Sequence, residues 1–237
     1  MKKVRYARLG LATLVIWLTA ACGDKAETNA EVMARFRPLV EAKREEIRNL
    51  FGSIDTDAGV QPVRGAQKPF ANNSGEPGST NLAFLPLDSF QNGGPPELDL
   101  FLMSPLASAL AIVARTDFES DDPADSGLIR LFEEAIATPF VSFYAQSEYQ
   151  EARLTDGDSF EGGLLKVEAL VIDLENRTIV ANCHVWANPG ANLNYVKEPG
   201  EDLNEVVAKA AFVAMRQNIR EQLSKCLADQ TGGDFSL

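Results

Sequence analysis

The chain has 237 residues, of which 45% are hydrophobic, so it is long and apolar enough for one domain with an ordinary core. It carries 22 basic and 34 acidic residues, which gives a net charge of −12. A surface this acidic repels phosphate backbones, which excludes nucleic acid as a partner and argues against electrostatic binding to anionic lipid.

The first 21 residues have the three-part order of a secretory signal. Basic residues come first (Lys2, Lys3, Arg5 and Arg8), and an apolar stretch from Leu9 to Leu18 follows. This stretch is too short to span a bilayer as a helix, and two small alanines directly precede Cys22. Residues 1–21 are therefore predicted to be a signal peptide.

The sequence Thr19-Ala20-Ala21-Cys22 resembles the lipobox of bacterial lipoproteins, although that family prefers Leu where Thr19 stands. The resemblance covers residues 1–25. It implies that Cys22 carries palmitate-type acyl chains, becomes the mature N-terminus and anchors the protein to a membrane of the cell envelope. Gly23 stands where an Asp would retain a lipoprotein in the inner membrane, which implies the outer membrane, facing the periplasm, in an organism that has one. The alternative is an ordinary secreted protein with a stray cysteine near its cleavage site.

Residues 22–52 are predicted to form the lipidated N-terminus and a helical segment. Thr28 and Glu31 have the spacing of a capping box, in which each side chain accepts a hydrogen bond from the other residue's backbone. Apolar residues follow at helical spacing as far as Gly52. Pro38 interrupts this run, which predicts either a kink or two consecutive helices.

Residues 53–96 are rich in glycine and proline and lack a clear hydrophobic period. We expect a mostly irregular segment, with one short docked stretch near Phe84.

Residues 97–230 are predicted to form an α+β domain. The expected elements are a strand over Leu98–Met103, a helix capped by Ser104 with Pro105 at its first position, a helix over Ser126–Ala137 and a strand from Phe140 to Tyr149 or Leu154. Alternating apolar residues over Leu164–Leu174 and Thr178–Ala187 then predict a hairpin, and a capping box at Asp202 predicts a long helix to Leu227. The expected fold is an antiparallel meander of at least three strands packed against this C-terminal helix, with helices before it.

Cys183 and Cys226 are predicted to form a disulfide. If Cys22 is acylated, these are the two remaining thiols, and export places them in an oxidising compartment. Cys183 shares the apolar face of its strand, and Cys226 falls on the apolar stripe of the last helix. The alternative is a pair of buried free cysteines.

Candidate chemistry is sparse, and no catalytic residue, metal site or cofactor is assigned. His184 is the one histidine of the chain, and it is expected to be a half-exposed strand residue beside Trp186 rather than a base or a ligand. The acidic stretch from Asp117 to Asp125 fails calcium-loop spacing, because Asp122 and Leu128 stand at the sixth and twelfth positions. Asp156-Gly157-Asp158 is interpreted as a solvated turn.

The favoured hypothesis is a lipid-anchored envelope protein whose domain binds a protein or a small ligand without catalysis. The alternative is a periplasmic hydrolase or isomerase with a pocket between the sheet and the helices. A deep pocket with a buried carboxyl of shifted pKa would favour the enzyme, whereas a shallow surface with an exposed apolar patch would favour the binding module.

Overall fold

The computed structural model describes residues 26–54, 59–64, 67–72, 78–92, 104–115, 118–155, 159–190 and 192–237. Its helices are α1 (Asn29–Ser53), α2 (Leu87–Asn92), α3 (Pro105–Val113), α4 (Ser126–Ala137) and α5 (Leu203–Thr231). Its strands are β1 (Ala71–Asn72), β2 (Leu82–Pro86), β3 (Phe140–Leu154), β4 (Phe160–Asp173), β5 (Thr178–Ala187) and β6 (Phe235–Ser236). The signal peptide, Cys22 and the expected strand Leu98–Met103 lie outside the described residues.

Helix α1 begins with the predicted capping box. Thr28 Oγ1 accepts from the backbone N–H of Glu31 at 3.3 Å, and the Glu31 carboxylate accepts from the backbone N–H of Thr28 at 2.9 Å. The helix continues through Pro38 to Ser53, so the alternative of two separate helices is wrong. An internal proline costs roughly 3 kcal/mol, and burial of the apolar face of α1 offsets that cost. The buried residues of this face are Val32, Met33, Phe36, Val40, Ile47 and Leu50.

The other long helices begin where their caps predict. Ser104 accepts from the backbone N–H of Ala107 at 3.3 Å, and Pro105 occupies the first turn of α3. Asp125 accepts from the N–H of Gly127 at 2.9 Å and starts α4. Asp202 accepts from the N–H groups of Asn204 and Glu205, and α5 runs four residues beyond the predicted end at Leu227. Polar side chains at these starts bind backbone donors that a helix cannot satisfy internally.

The central sheet has four strands in the order β2-β3-β4-β5. Strands β3, β4 and β5 form the predicted antiparallel meander, and the predicted α+β class is confirmed. The stretch near Phe84 adds a fourth strand, β2, which pairs in parallel with β3. Parallel neighbours need a crossover connection, and α2, α3 and α4 lie between these two strands in the chain. Strand β2 falls within the segment 53–96, at the docked stretch that was expected near Phe84. The domain boundaries at residues 53 and 97 stay a prediction.

Each face of the sheet is packed against helices. On one face, Leu85, Val141, Phe143 and Ile172 pack with α1, α3 and α4. On the opposite face, apolar residues of all four central strands pack with α5 through Met215, Ile219, Leu223 and Leu227. Along β4 and β5 the alternation therefore separates the α5 cluster from a second face, on which Ile172 packs with the helices while Glu168, His184 and Trp186 are exposed.

Side-chain amides of α5 cover the outer edge of β5. Gln230 accepts from the backbone N–H of Asn182 and donates to its carbonyl, both at 2.9 Å. Gln222 donates to the Trp186 carbonyl at 2.8 Å, and Asn218 donates to the Asn188 carbonyl at 3.0 Å. We call these three amides the edge cover. They bond to part of the backbone groups with which a further strand would pair.

The chain ends against the segment around β1. Strand β6 pairs with β1 in parallel, directly after Gly232 ends α5 in the left-handed conformation. A Cβ on Gly233 would lie 1.9 Å from the Pro69 carbonyl oxygen, so only glycine fits there. Within the described ranges, no helix has both the length and the apolarity needed to cross a bilayer.

Candidate functional site

The structure brings Cys183 of β5 and Cys226 of α5 together as a disulfide pair. Their Sγ atoms lie 2.10 Å apart and their Cα atoms 6.1 Å apart. Cys183 is fully buried, and the Gln230 amide lies 3.3 Å from the Cys226 sulfur. The sequence prediction that these cysteines meet is confirmed, because both apolar patterns from which it was made face the same cluster.

His184 lies on the part of the sheet face that α1, α3 and α4 leave open. We call this part the open face, and its members are Glu148, Lys166, Glu168, His184 and Trp186. The His184 side chain is 63% exposed, more than the half-exposure that was expected, and its Nδ1 lies 3.7 Å from Glu168 Oε1. Trp186 is 58% exposed. An exposed histidine lacks the dry surroundings in which a base is tuned, so this pair gives no sign of catalysis.

A second ion pair crosses the open face. Lys166 Nζ lies 2.5 Å from Glu148 Oε2, and the Gln150 amide donates to Glu148 Oε1 at 2.7 Å. The hydrogen bond from Lys166 lowers the pKa of Glu148 below its ordinary value. On the opposite face, burial raises the pKa of Tyr149, whose ring meets Phe212 edge-on at 5.5 Å.

Two of the described acidic residues before α4 have structural partners. Glu119 forms an ion pair with Arg37 at 2.5 Å, and Asp125 caps α4. Asp117 and Asp156 to Asp158 lie outside the described residues. Among the residues that the structure does describe, no cluster of three or more His, Cys, Asp or Glu side chains is arranged to hold a metal ion.

Sequence reasoning missed a groove beside the β4–β5 turn, which we call the Arg177 groove. Two cavities form it, one of about 260 Å³ and one of about 300 Å³, and both are lined by Leu50, Ser53 and Arg177. The smaller cavity is also lined by Ile54, Gly59, Gln61, Thr178 and Ile179. Only the larger one has an acidic lining residue among those described, Glu46, which pairs with Lys43 at 3.4 Å.

Arg177 holds an unusual backbone conformation for its residue type. Its φ is +54°, and it is the one non-glycine residue with positive φ in the described parts of the chain. The turn is fixed by the buried Asp173, whose carboxylate accepts from the backbone and side-chain N–H groups of Asn176, each at 2.9 Å. An L-residue in this left-handed region costs about 1–2 kcal/mol, and glycine or asparagine avoids most of that cost. Strain of this kind is concentrated at binding sites.

Two polar groups of the groove are unpaired in the described structure. No ion pair or hydrogen bond joins the Arg177 guanidinium to a described residue. The Thr178 hydroxyl is buried without a hydrogen-bond partner among the described residues. A buried hydroxyl in this state costs roughly 1–3 kcal/mol until something bonds to it. The sequence signal that could have found this groove is an arginine at the end of a four-residue turn, where glycine or asparagine is the usual choice.

Comparisons with known proteins do not indicate a function for this chain. No family model matches the chain, and no curated protein matches it. One similar solved structure is the hypothetical protein CT253 from Chlamydia trachomatis, with 14% sequence identity and a TM-score of 0.25. The match covers 47% of this chain and spans 64% of that chain, less than two thirds of its length. Similarity at this level carries no inference about fold or activity.

Proposed function

We propose that this protein is a lipid-anchored lipoprotein of the cell envelope that binds a partner without catalysing a reaction. The anchor is a set of acyl chains on Cys22, after removal of residues 1–21. In an organism with two membranes, the domain is held at the outer membrane and faces the periplasm.

The pairing of the cysteines carries this proposal. The chain has three cysteines, and the structure pairs Cys183 with Cys226. Cys22 is then the cysteine left over, and it follows directly on a basic and apolar segment that ends in two alanines. A disulfide-capable pair suits an exported protein, and a cysteine behind a signal suits an acylation site. Two or more chains give stable attachment, since each buried methylene contributes roughly 0.8 kcal/mol.

The geometry favours binding over catalysis. The described lining residues of the Arg177 groove include one carboxylate, Glu46, and it is paired with Lys43 at 3.4 Å. Asp173 is buried, but both of its oxygens accept from Asn176, which gives it a structural role. Glu148 lies on the open face, and its pKa shifts downward, away from that of a general acid.

Metabolic labelling with radioactive palmitate tests the anchor. We expect label in the wild-type protein and none in Cys22→Ser, together with an intact mass for the wild type that corresponds to a chain beginning at Cys22 plus lipid. The double variant Cys183→Ser/Cys226→Ser is the matched control and should keep the label. A Cys22→Ser protein that still incorporates palmitate, or an unlabelled wild type, would overturn the proposal.

A further inference from the structure

We infer that the smaller cavity of the Arg177 groove binds a small organic anion, with a carboxylate or phosphate head against Arg177 and a short apolar body. This inference rests on the proposed binding role and assigns that role a site and a ligand class. It does not depend on the lipid anchor, which palmitate labelling tests separately.

The charge of the cavity favours an anion. Arg177 is the charged residue among the described lining residues of the smaller cavity. A guanidinium presents parallel N–H donors that match the two oxygens of a carboxylate or a phosphate. The nearby end of α1 brings backbone carbonyls, but the Leu50 carbonyl already accepts from Ser53 Oγ at 3.0 Å and from the Ile54 N–H at 2.9 Å.

The other lining groups define the rest of the ligand. Leu50, Ile54 and Ile179 supply an apolar wall, and Leu50 and Ile179 are buried members of the fold. The Thr178 hydroxyl lies next to Arg177 in the chain and has no described partner. A hydroxyl can donate a hydrogen bond to a ligand oxygen. The cavity therefore combines one cation and one hydroxyl with an apolar wall, which suits an amphiphilic anion of modest size.

The strained turn supports a role for the arginine itself. A turn with φ of +54° at this position is formed most easily by glycine or asparagine, so fold stability alone does not call for arginine. Arg177 contributes a guanidinium to the lining of both cavities, although its backbone conformation is unfavourable for an arginine. Such an exchange is typical of residues that contact a ligand.

Saturation-transfer NMR on the full chain in phospholipid nanodiscs tests the site, with hexanoate and hexyl phosphate as anionic probes. Hexanol and hexylamine are probes of the same length without negative charge, and empty nanodiscs report partition into lipid. We expect transfer to one or both anions above the lipid background, and markedly less transfer to hexanol and hexylamine. The anion that shows the larger saturation transfer identifies the head group that the site prefers.

Variants at position 177 separate binding from folding. Arg177→Asn suits the left-handed turn and removes the charge, and it should weaken binding by about tenfold or more, because charge-assisted hydrogen bonds are lost. Arg177→Lys should retain part of the binding. The matched control is Arg153→Asn, an exposed arginine of β3, which should bind as the wild type does. Equal transfer to hexanol and hexanoate, or unchanged binding in Arg177→Asn, would overturn the inference. Either result would leave palmitate labelling of Cys22 unaffected.

Discussion

At the scale of single residues, the Arg177 side chain serves the proposed ligand site and takes no part in closing the turn that holds it. The turn that holds it is closed by Asp173 and Asn176, and neither contact uses the arginine side chain. Replacing the arginine should therefore leave the turn intact. A residue whose removal improves the fold while it abolishes binding has a functional role and no structural one.

We expect Arg177→Gly to raise the free energy of unfolding by roughly 0.5–1 kcal/mol. Relief of the left-handed conformation contributes about 1–2 kcal/mol, and the greater freedom of glycine in the unfolded chain offsets about 0.5–1 kcal/mol of it. Urea denaturation measures the change, with Arg153→Gly in β3 as the control that should lose stability. An Arg177→Gly protein less stable than the wild type would show that the arginine supports the fold.

The open face offers a pH-dependent test. Because the hydrogen bond from Lys166 lowers the pKa of Glu148, the pair stabilises the fold above the ordinary carboxyl pKa and loses this effect as pH falls through the lowered value. In Lys166→Met, the pKa of Glu148 should rise toward its ordinary value, as measured by carbon NMR of the side-chain carboxyl. Lys43→Met, on α1, should leave the titration of Glu148 unchanged. An unshifted Glu148 in Lys166→Met would contradict the pairing.

At the scale of elements, the link between α5 and β5 is the most informative. The disulfide spans a sequence separation of 43 residues and fixes the long helix to the edge strand. In the chain-entropy account, closing a loop of this length contributes up to about 4 kcal/mol. The three amides of the edge cover lie on the same helix, so the covalent and the polar contacts act on one junction.

We expect the double variant Cys183→Ala/Cys226→Ala to lower the free energy of unfolding by as much as about 4 kcal/mol. Urea denaturation of this variant, and of the wild type with and without a thiol reductant, measures the effect. Cys22→Ser is the control and should denature as the wild type does. A reductant that leaves the wild-type midpoint unchanged, or two alkylatable thiols in the denatured mature chain, would refute the bridge.

Elements with strong local signals could be predicted from the sequence. Caps at Thr28, Ser104 and Asp202 and the alternation of β4 and β5 are properties of neighbouring residues, and the structure confirms them. The parallel strand β2 could not be predicted in full, because its partner β3 lies more than fifty residues away and its five residues have no period of their own. The continuity of α1 through Pro38 likewise depends on packing against distant helices.

In the candidate site, too, features with a local pattern could be predicted and contacts between distant segments could not. The cysteine pair was predictable because two regular patterns placed both residues on facing surfaces. The Arg177 groove was not, since its walls come from the end of α1, the segment near Gly59 and the β4–β5 turn, which only the folded chain brings together. No repeating pattern in the sequence indicates that these three distant segments line one groove.

At the scale of the whole molecule, the negative net charge of the domain and the proposed lipid anchor act in opposite directions on its distance from the membrane. The four charged residues of the first 21 are all basic, so the proposed processing at Cys22 would make the chain four charges more negative than −12. A domain this acidic is repelled by anionic headgroups, so the proposed acyl chains would have to supply the attraction to the bilayer. The proposed anchor thus holds the domain close to the membrane while its surface charge keeps it off the lipid.

The edge cover has a consequence for molecules crowded on a membrane surface. Acylated chains diffuse in two dimensions, where encounters between identical neighbours are frequent. A sheet with bare edges would then grow by strand pairing from one molecule to the next. Here the outer edge of β5 is engaged by glutamine and asparagine side chains, and the opposite edge strand, β2, is five residues long and ends in Pro86. In the proposed anchored form, these edges disfavour strand pairing between neighbouring molecules, and the proposed partner would bind through side chains and grooves rather than as an added strand.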